Sequence, residues 1–172
     1  ANMAGVGFDA IVNRAYNRLK ERGTRGKWIY VFSAVLAIFQ YRSKKMRVWI
    51  DDRLALEDTI FSAAVGIGKY NGGGMQQTPN AIADDGLFDM TTIRKLSYFN
   101  VIRFFGSLYN GTIYNVPNSR FFRGRKITIE IEPESVIEID GEALGYSTFE
   151  FEVIRRAIKV IVGQSFSLEA SV

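Results

Sequence analysis

The residues best suited to chemistry fall in one glycine-dense loop and two acidic stretches. Residues 66–90 read GIGKYNGGGMQQTPNAIADDGLFDM, with five glycines in nine residues and then Asp84, Asp85 and Asp89. Two adjacent acids before a glycine make a compact, oxygen-rich turn. Its carboxylates and nearby carbonyls suit a hard cation such as magnesium. The same residues suit an Asx-type turn, in which carboxylates cap neighbouring backbone N–H groups. Downstream, EIDGEALG (138–145) sets Asp140 and Glu142 at the end of an alternating stretch. A carboxylate there can project into a cleft and take a proton from a hydroxyl. An ordinary Asp-Gly hairpin turn with solvated acids competes with that reading.

Composition narrows the chemistry. The chain of 172 residues contains neither histidine nor cysteine. Ser-His and Cys-His nucleophiles, imidazole bases, histidine-ligated zinc, thiolate metal sites and disulfides are therefore excluded. Any proton transfer falls to carboxylates, lysine, arginine, tyrosine or backbone groups, and any metal site is oxygen-only. The absence of cysteine fits a reducing compartment. The net charge of +4 points weakly to an anionic partner. Two basic clusters, Arg42/Lys44/Lys45/Arg47 and Arg120/Arg123/Arg125/Lys126, read either as solvated faces or as a surface that approaches anionic phospholipid. The second cluster encloses Phe121 and Phe122.

Two glycine motifs do not develop into nucleotide sites. GVGFDA (5–10) matches the spacing of the dinucleotide fingerprint, but no parallel strand follows at the usual distance. It reads as a tight strand-to-helix turn. GKYNGGGM lacks the Gly-Lys-Ser/Thr of a P-loop. A triple glycine does permit close backbone approach.

The elements that must position these residues run from helical to β. Asp9–Arg22 carries apolar residues at helical spacing. Lys27–Tyr41 holds the most apolar run, Trp28–Phe39, about twelve residues where a membrane span needs about twenty. Strands are predicted in MRVWIDDR (46–53), TIFSAAVGIGKY (59–70) and LFDMTTIRKL (87–96). Ser97–Tyr109 reads as a helix with Ser97 as its N-cap. RKITIEIEPESVIEIDGE reads as a hairpin turning at Glu132–Ser135, and FEFEVIRRAIKVIV as a closing pair of short strands. The whole predicts one mainly β domain (α+β), an antiparallel β-sandwich with two or three helices. The chain size is usual for one domain and 47% of it is apolar, enough for a core without cross-links. Because the glycine motif begins almost at residue 1, a portion upstream is expected.

The order NMAGVGFDA, helical stretch, NGGGMQQTPNAIADDGLFD, then IDGE with a short β tail resembles the C-terminal domain of the diacylglycerol kinase and sphingosine kinase-like family, the bacterial soluble lipid kinases above all. The resemblance spans essentially the whole chain. It implies an NAD kinase/diacylglycerol kinase C-terminal domain-like fold over 1–172, a lipid-binding domain from a two-domain enzyme. The N-terminal domain, with its Gly-Gly-Asp-Gly-Thr motif, would bind ATP and is absent from this chain. It further implies Glu142 as proton acceptor with Asp140 as its companion. A structural magnesium would be held by the Asp85 carboxylate and the carbonyls of Ile82 and Leu87, with Asp84 and Asp89 supporting the turn. The implied partners are a lipid substrate, the nucleotide-binding domain and a membrane surface touched transiently. A homodimer is possible and no nucleic acid is expected. The implied location is cytoplasmic and peripheral to the membrane. A non-catalytic lipid-binding or regulatory module and an NAD-kinase-like enzyme are the alternative functions.

Overall fold

In the computed structural model, the described residues are 1–7, 41–71, 74–155, 157–159 and 161. The predicted helix over Asp9–Arg22 lies outside them, as does that over Lys27–Tyr41 apart from Tyr41 itself. So do Phe8–Ala10 of the first glycine motif, and Gly72 and Gly73.

Seven strands pair antiparallel throughout: β1 Met3–Gly7, β2 Lys44–Ile50, β3 Arg53–Gly66, β4 Phe88–Arg94, β5 Ser119–Gly124, β6 Lys126–Ile139 and β7 Glu142–Glu152. The helix α1, Tyr98–Phe104, and two short 3-10 turns bridge β4 to β5. Ser97 is its N-cap as expected, accepting the Asn100 N–H. Among the described residues no helix is long and apolar enough to cross a membrane.

Two long strands organise the sheet. Both β3 and β6 are 14 residues long, and each carries β2 along one half and β1 along the other. Gly7 of β1 lies opposite Ser62 and Lys44 of β2 opposite Ile60. Thus β1 and β2 lie end to end in a single slot between β3 and β6. Outside that slot, β4 and β5 extend from β3, and β7 pairs with β6.

Laid flat, β4 and β7 would stand four spacings apart, about 19 Å. Yet the rings of Phe88 (β4) and Phe151 (β7) meet edge-to-face at 6.1 Å. The Arg125 N–H, just past β5, also donates to Asp51 Oδ1 at the β2–β3 turn, 2.9 Å away. The sheet therefore folds over on itself, as a sandwich does. It encloses one apolar core of Val6, Met46, Val48, Ile60, Val65, Met90, Ile127, Ile129, Ile131, Ile137 and Phe149.

Two expectations are corrected. Glu132–Ser135 is no hairpin turn: β6 continues through it, with a cis Glu132–Pro133 bond and a register shift against β7 between Glu130 and Ser135. Proline has no N–H for the ladder, so it sits at an irregularity. Inward-facing Ile127, Ile129, Ile131 and Ile137 share one parity across it. The hairpin closes instead at Asp140–Gly141, where Ile139 faces Glu142. Similarly, Phe149–Glu152 is the end of one strand running alongside β6, and no second strand follows among the described residues.

Candidate functional site

The separate motifs converge on one row across one end of the sheet. Asp89, in β4, pairs with Gly66 at the end of β3, and Gly66 pairs with Met3 at the start of β1. Next to Met3 comes Asp140, at the end of β6: its N–H donates to the Met3 carbonyl at 3.0 Å. Three strand spacings, about 14 Å along the sheet, thus lie between Asp89 and Asp140. The glycine loop leaves the sheet from Gly66, between them.

Asp140 and Gly141 form a two-residue hairpin turn with φ of 48° and 94°. Asp and Gly tolerate such values best, which is why this dipeptide marks tight hairpins. The Asp140 carboxylate is bound to backbone. Both its oxygens lie 3.0 Å from the Asn2 nitrogen, and Oδ1 accepts the Met3 N–H at 2.9 Å. Glu138, buried two residues earlier, accepts the Gly141 N–H. Glu142 opens β7 and is exposed. At the β2–β3 turn Asp51, φ 50°, does for Arg125 and Lys126 what Asp140 does for Asn2 and Met3: its Oδ1 accepts both N–H groups, at 2.9 and 3.0 Å.

Asn2 ties this turn to the glycine loop. Its carbonyl accepts the Ile67 N–H at 3.0 Å, and its amide donates to the Tyr70 carbonyl at 3.1 Å. Asn71 and Met75 close a small bridge, and Asn71 Nδ2 donates to Gln77 Oε1 at 2.7 Å. Buried Thr78 and Thr91 fasten the loop from below, through the carbonyls of Gly68 (2.8 Å) and Gln77 (2.6 Å). Two glycines here serve different needs. A Cβ on Gly66 would lie 2.8 Å from Met3 Sδ and 2.9 Å from Thr78 Oγ1, so Gly66 permits close packing. Gly74 has open space around it but a φ of +92°, so it permits a conformation.

In the acidic turn, Asp85 Oδ1 accepts the Leu87 N–H at 2.8 Å, and the Asp85 N–H donates to the Ile82 carbonyl at 3.3 Å. This is the Asx-type turn. Arg123 of β5 pairs with the other Asp85 oxygen, and its Nε stands 3.4 Å from Asp89 Oδ2. Asp89 is buried, and that oxygen has no hydrogen bond. Burial raises the Asp89 pKa above its ordinary 3.8; neighbouring Asp85 adds to the rise and Arg123 opposes it. Asp84 is exposed.

The residues present fit a hard cation in chemistry. Asp85 offers a carboxylate, each carbonyl of Ile82 and Leu87 has two lone pairs, and buried Asp89 Oδ2 lacks a hydrogen bond. The Arg123 guanidinium holds the Asp85 oxygen that a metal would need. Among the described residues no cluster of three or more acids forms a ready-made cage.

On the outer face of β3 and β4 lies an apolar pocket of about 60 Å³, lined by Phe61, Ala64, Ile93, Val101, Phe104 and Leu108 among others. Gln77, from the end of the glycine loop, also lines it. The roles of Asn2, Gln77, Arg123 and Glu138 were not evident in the sequence. For Arg123 the signal was there, one of the basic cluster Arg120/Arg123/Arg125/Lys126, but it read as surface.

Residues 2–162 match the model of the YegS C-terminal NAD kinase beta sandwich-like domain. The chain belongs to that family. Within the YegS C-terminal domain family, one curated relative is a diacylglycerol kinase from Mycobacterium tuberculosis (strain ATCC 25618 / H37Rv). It is 24% identical over 159 residues, which are 92% of this chain and 50% of that protein. Another, named probable lipid kinase YegS-like, from Alcanivorax borkumensis, is 24% identical over 172 residues, covering 97% of this chain and 56% of its own. The chain thus spans about half the length of these relatives. A solved diacylglycerol kinase structure from Bacillus anthracis str. Sterne superposes with TM-score 0.53 at 15% identity, over 90% of this chain and 46% of that one. A second structure from that organism gives TM-score 0.59 at 20% identity, over 90% and 49%. At such identities the structures establish the fold: a mainly β, antiparallel, NAD kinase-like sandwich domain.

Proposed function

We propose that this chain is the C-terminal, lipid-binding domain of a two-domain, ATP-dependent lipid kinase acting on a diacylglycerol- or sphingoid-type hydroxyl. The observation that carries the reading is the row Asp89–Gly66–Met3–Asp140, which gathers three motifs at one sheet end. The names of the relatives, diacylglycerol kinase and lipid kinase, support the same substrate class.

In this reading Glu142 takes the proton of the lipid hydroxyl as its oxygen bonds to the γ-phosphorus of ATP and the bridging P–O bond breaks, releasing ADP. With no histidine in the chain, an exposed carboxylate at the mouth of the row is the natural acceptor. Asp140 and Glu138 hold the turn from which Glu142 projects. The N-terminal domain binds ATP. Asp85, with the carbonyls of Ile82 and Leu87, would hold a structural magnesium that fixes the acidic turn once Arg123 withdraws. The apolar pocket takes hydrocarbon, and the enzyme works in the cytoplasm at the membrane surface.

The test is phosphorylation by full-length protein of a panel of diacylglycerol, a sphingoid base and NAD. Glu142→Gln is expected to lower kcat by about 10²- to 10⁴-fold with KM for ATP unchanged. Full turnover by that variant removes Glu142 as base. Failure to phosphorylate any lipid, or phosphorylation of NAD instead, overturns the kinase reading.

A further inference from the structure

We propose that the outer face of α1 is a docking element for the surface of an anionic phospholipid bilayer. Three of the eight cations in the two basic clusters singled out in the sequence are engaged by acids within the fold. Arg47 bridges Glu130 and Glu132 at 3.2 and 3.3 Å, Arg123 pairs with Asp85 and Asp89, and Lys126 lies 3.1 Å from Asp52 and 3.4 Å from Glu150. Charges neutralised in this way contribute little attraction to a surface.

The segment between β4 and β5 is different. From Lys95 to Asn118 the chain has no acid, and its two cations are Lys95 and Arg103. Within it, α1 is apolar on two sides. Val101 and Phe104 face inward and line the pocket. Phe99 and Ile102, three positions apart and so on one helical face, are 69% and 64% exposed. A short surface helix normally turns polar residues outward. Here the flanking exposed residues are the cations Lys95 and Arg103, the latter 5.6 Å from the Phe104 ring. Exposed apolar side chains flanked by cations, in a stretch without acids, complement an interface of acyl chains beneath anionic headgroups. The same charge argues against a second copy of this face, which would be equally cationic.

This placement gives the lipid-kinase reading a physical route, on which it rests only for its purpose: α1 closes the apolar pocket from outside, so its immersion brings the pocket to the lipid.

The experiment is sedimentation of full-length protein with phosphatidylglycerol/phosphatidylcholine vesicles and with phosphatidylcholine vesicles alone. Phosphorylation of a short-chain lipid in detergent micelles is measured in parallel. Wild type is expected to partition to the anionic vesicles, and Phe99→Ser/Ile102→Ser about tenfold or more weaker. Lys95→Ala/Arg103→Ala is expected to lose about tenfold or more and to flatten the salt dependence. Leu54→Ser, at an exposed site on another strand, serves as control and keeps full binding. Micellar turnover should be unchanged in all. Vesicle binding indifferent to both double variants, or absent in wild type, overturns the proposal. So does loss of a dimer in Phe99→Ser/Ile102→Ser without loss of vesicle binding. If no lipid is phosphorylated yet binding depends on α1, the docking surface stands and the kinase reading falls.

Discussion

The carboxylate of Asp140 is fastened to the backbone of Met3, 2.9 Å from its N–H, while the Asp140 N–H returns a bond to the Met3 carbonyl at 3.0 Å. Asp140 thereby holds the entering strand β1 against the Asp140–Gly141 turn that precedes Glu142. Asp140→Ala strands the N–H groups of Asn2 and of buried Met3. A loss of about 1–3 kcal/mol is expected, read from urea unfolding. Asp140→Asn keeps one acceptor oxygen and should lose less. An Asn variant as stable as wild type but catalytically dead would shift the weight of Asp140 from architecture to chemistry.

Gly66 and Gly74 should fail for different reasons. At Gly66 an added methyl meets Met3 and Thr78, so Gly66→Ala is expected to cost about 1–3 kcal/mol by overpacking, with Met3→Ala giving partial relief. At Gly74 the added methyl meets nothing, and the cost, about 1–2 kcal/mol, comes from a left-handed backbone. Gly74→Asn should then be milder than Gly74→Ala, whereas Gly66→Asn should be worse than Gly66→Ala. Thermal melts of the four variants decide this.

Asp89 sets a pH dependence whose sign follows from its raised pKa. The folded state holds this proton more tightly than the unfolded state. Its contribution to stability is therefore full below the ordinary value of 3.8 and is lost as pH rises through the raised folded value. Compared with wild type, Asp89→Asn should gain relative stability as pH rises through that window and hold a constant advantage above it. Removing Arg123, which opposes the rise, should push the Asp89 pKa higher still. Urea midpoints against pH, with a carboxyl NMR titration, test both statements.

Magnesium binding at the acidic turn should stabilise the fold. A cation held by Asp85 at 100 times its dissociation constant adds about 2.7 kcal/mol, visible as a higher Tm in millimolar magnesium than in chelator. Asp85→Asn should abolish the increment and Asp84→Asn should keep it. Arg123→Gln should tighten the site by removing a competing cation. A magnesium increment that survives Asp85→Asn places the ion elsewhere.

Local signals in the chain foretold most of the architecture. The alternation of Ile127, Ile129 and Ile131, the apolar run in β3 and the Ser97 cap each depend on neighbours in sequence, so they were legible. The turn at Glu132–Ser135 was misread because proline marks both turns and bulges, and only the partner strand decides between them. β5 was hidden because its residues serve different surroundings: Gly124 fits under Ile50 and Arg123 reaches Asp85, contacts made across strands distant in sequence. Likewise, nothing near Asp140 announces that its carboxylate reaches Asn2 and Met3. Identity of the acids was readable; their partners were set by the closing of the sheet.

Because β1 and β2 share one slot, the sheet treats them as a single line of backbone with a gap between Gly7 and Lys44. The two sides of that gap are close: a Cβ on Gly7 would lie 2.8 Å from the Tyr41 hydroxyl. Strand pairing therefore makes no demand on the length or composition of what is threaded between them. Such a seam is a natural grafting point. Segments of other sizes could be exchanged there while the row from Asp89 to Asp140 keeps its register.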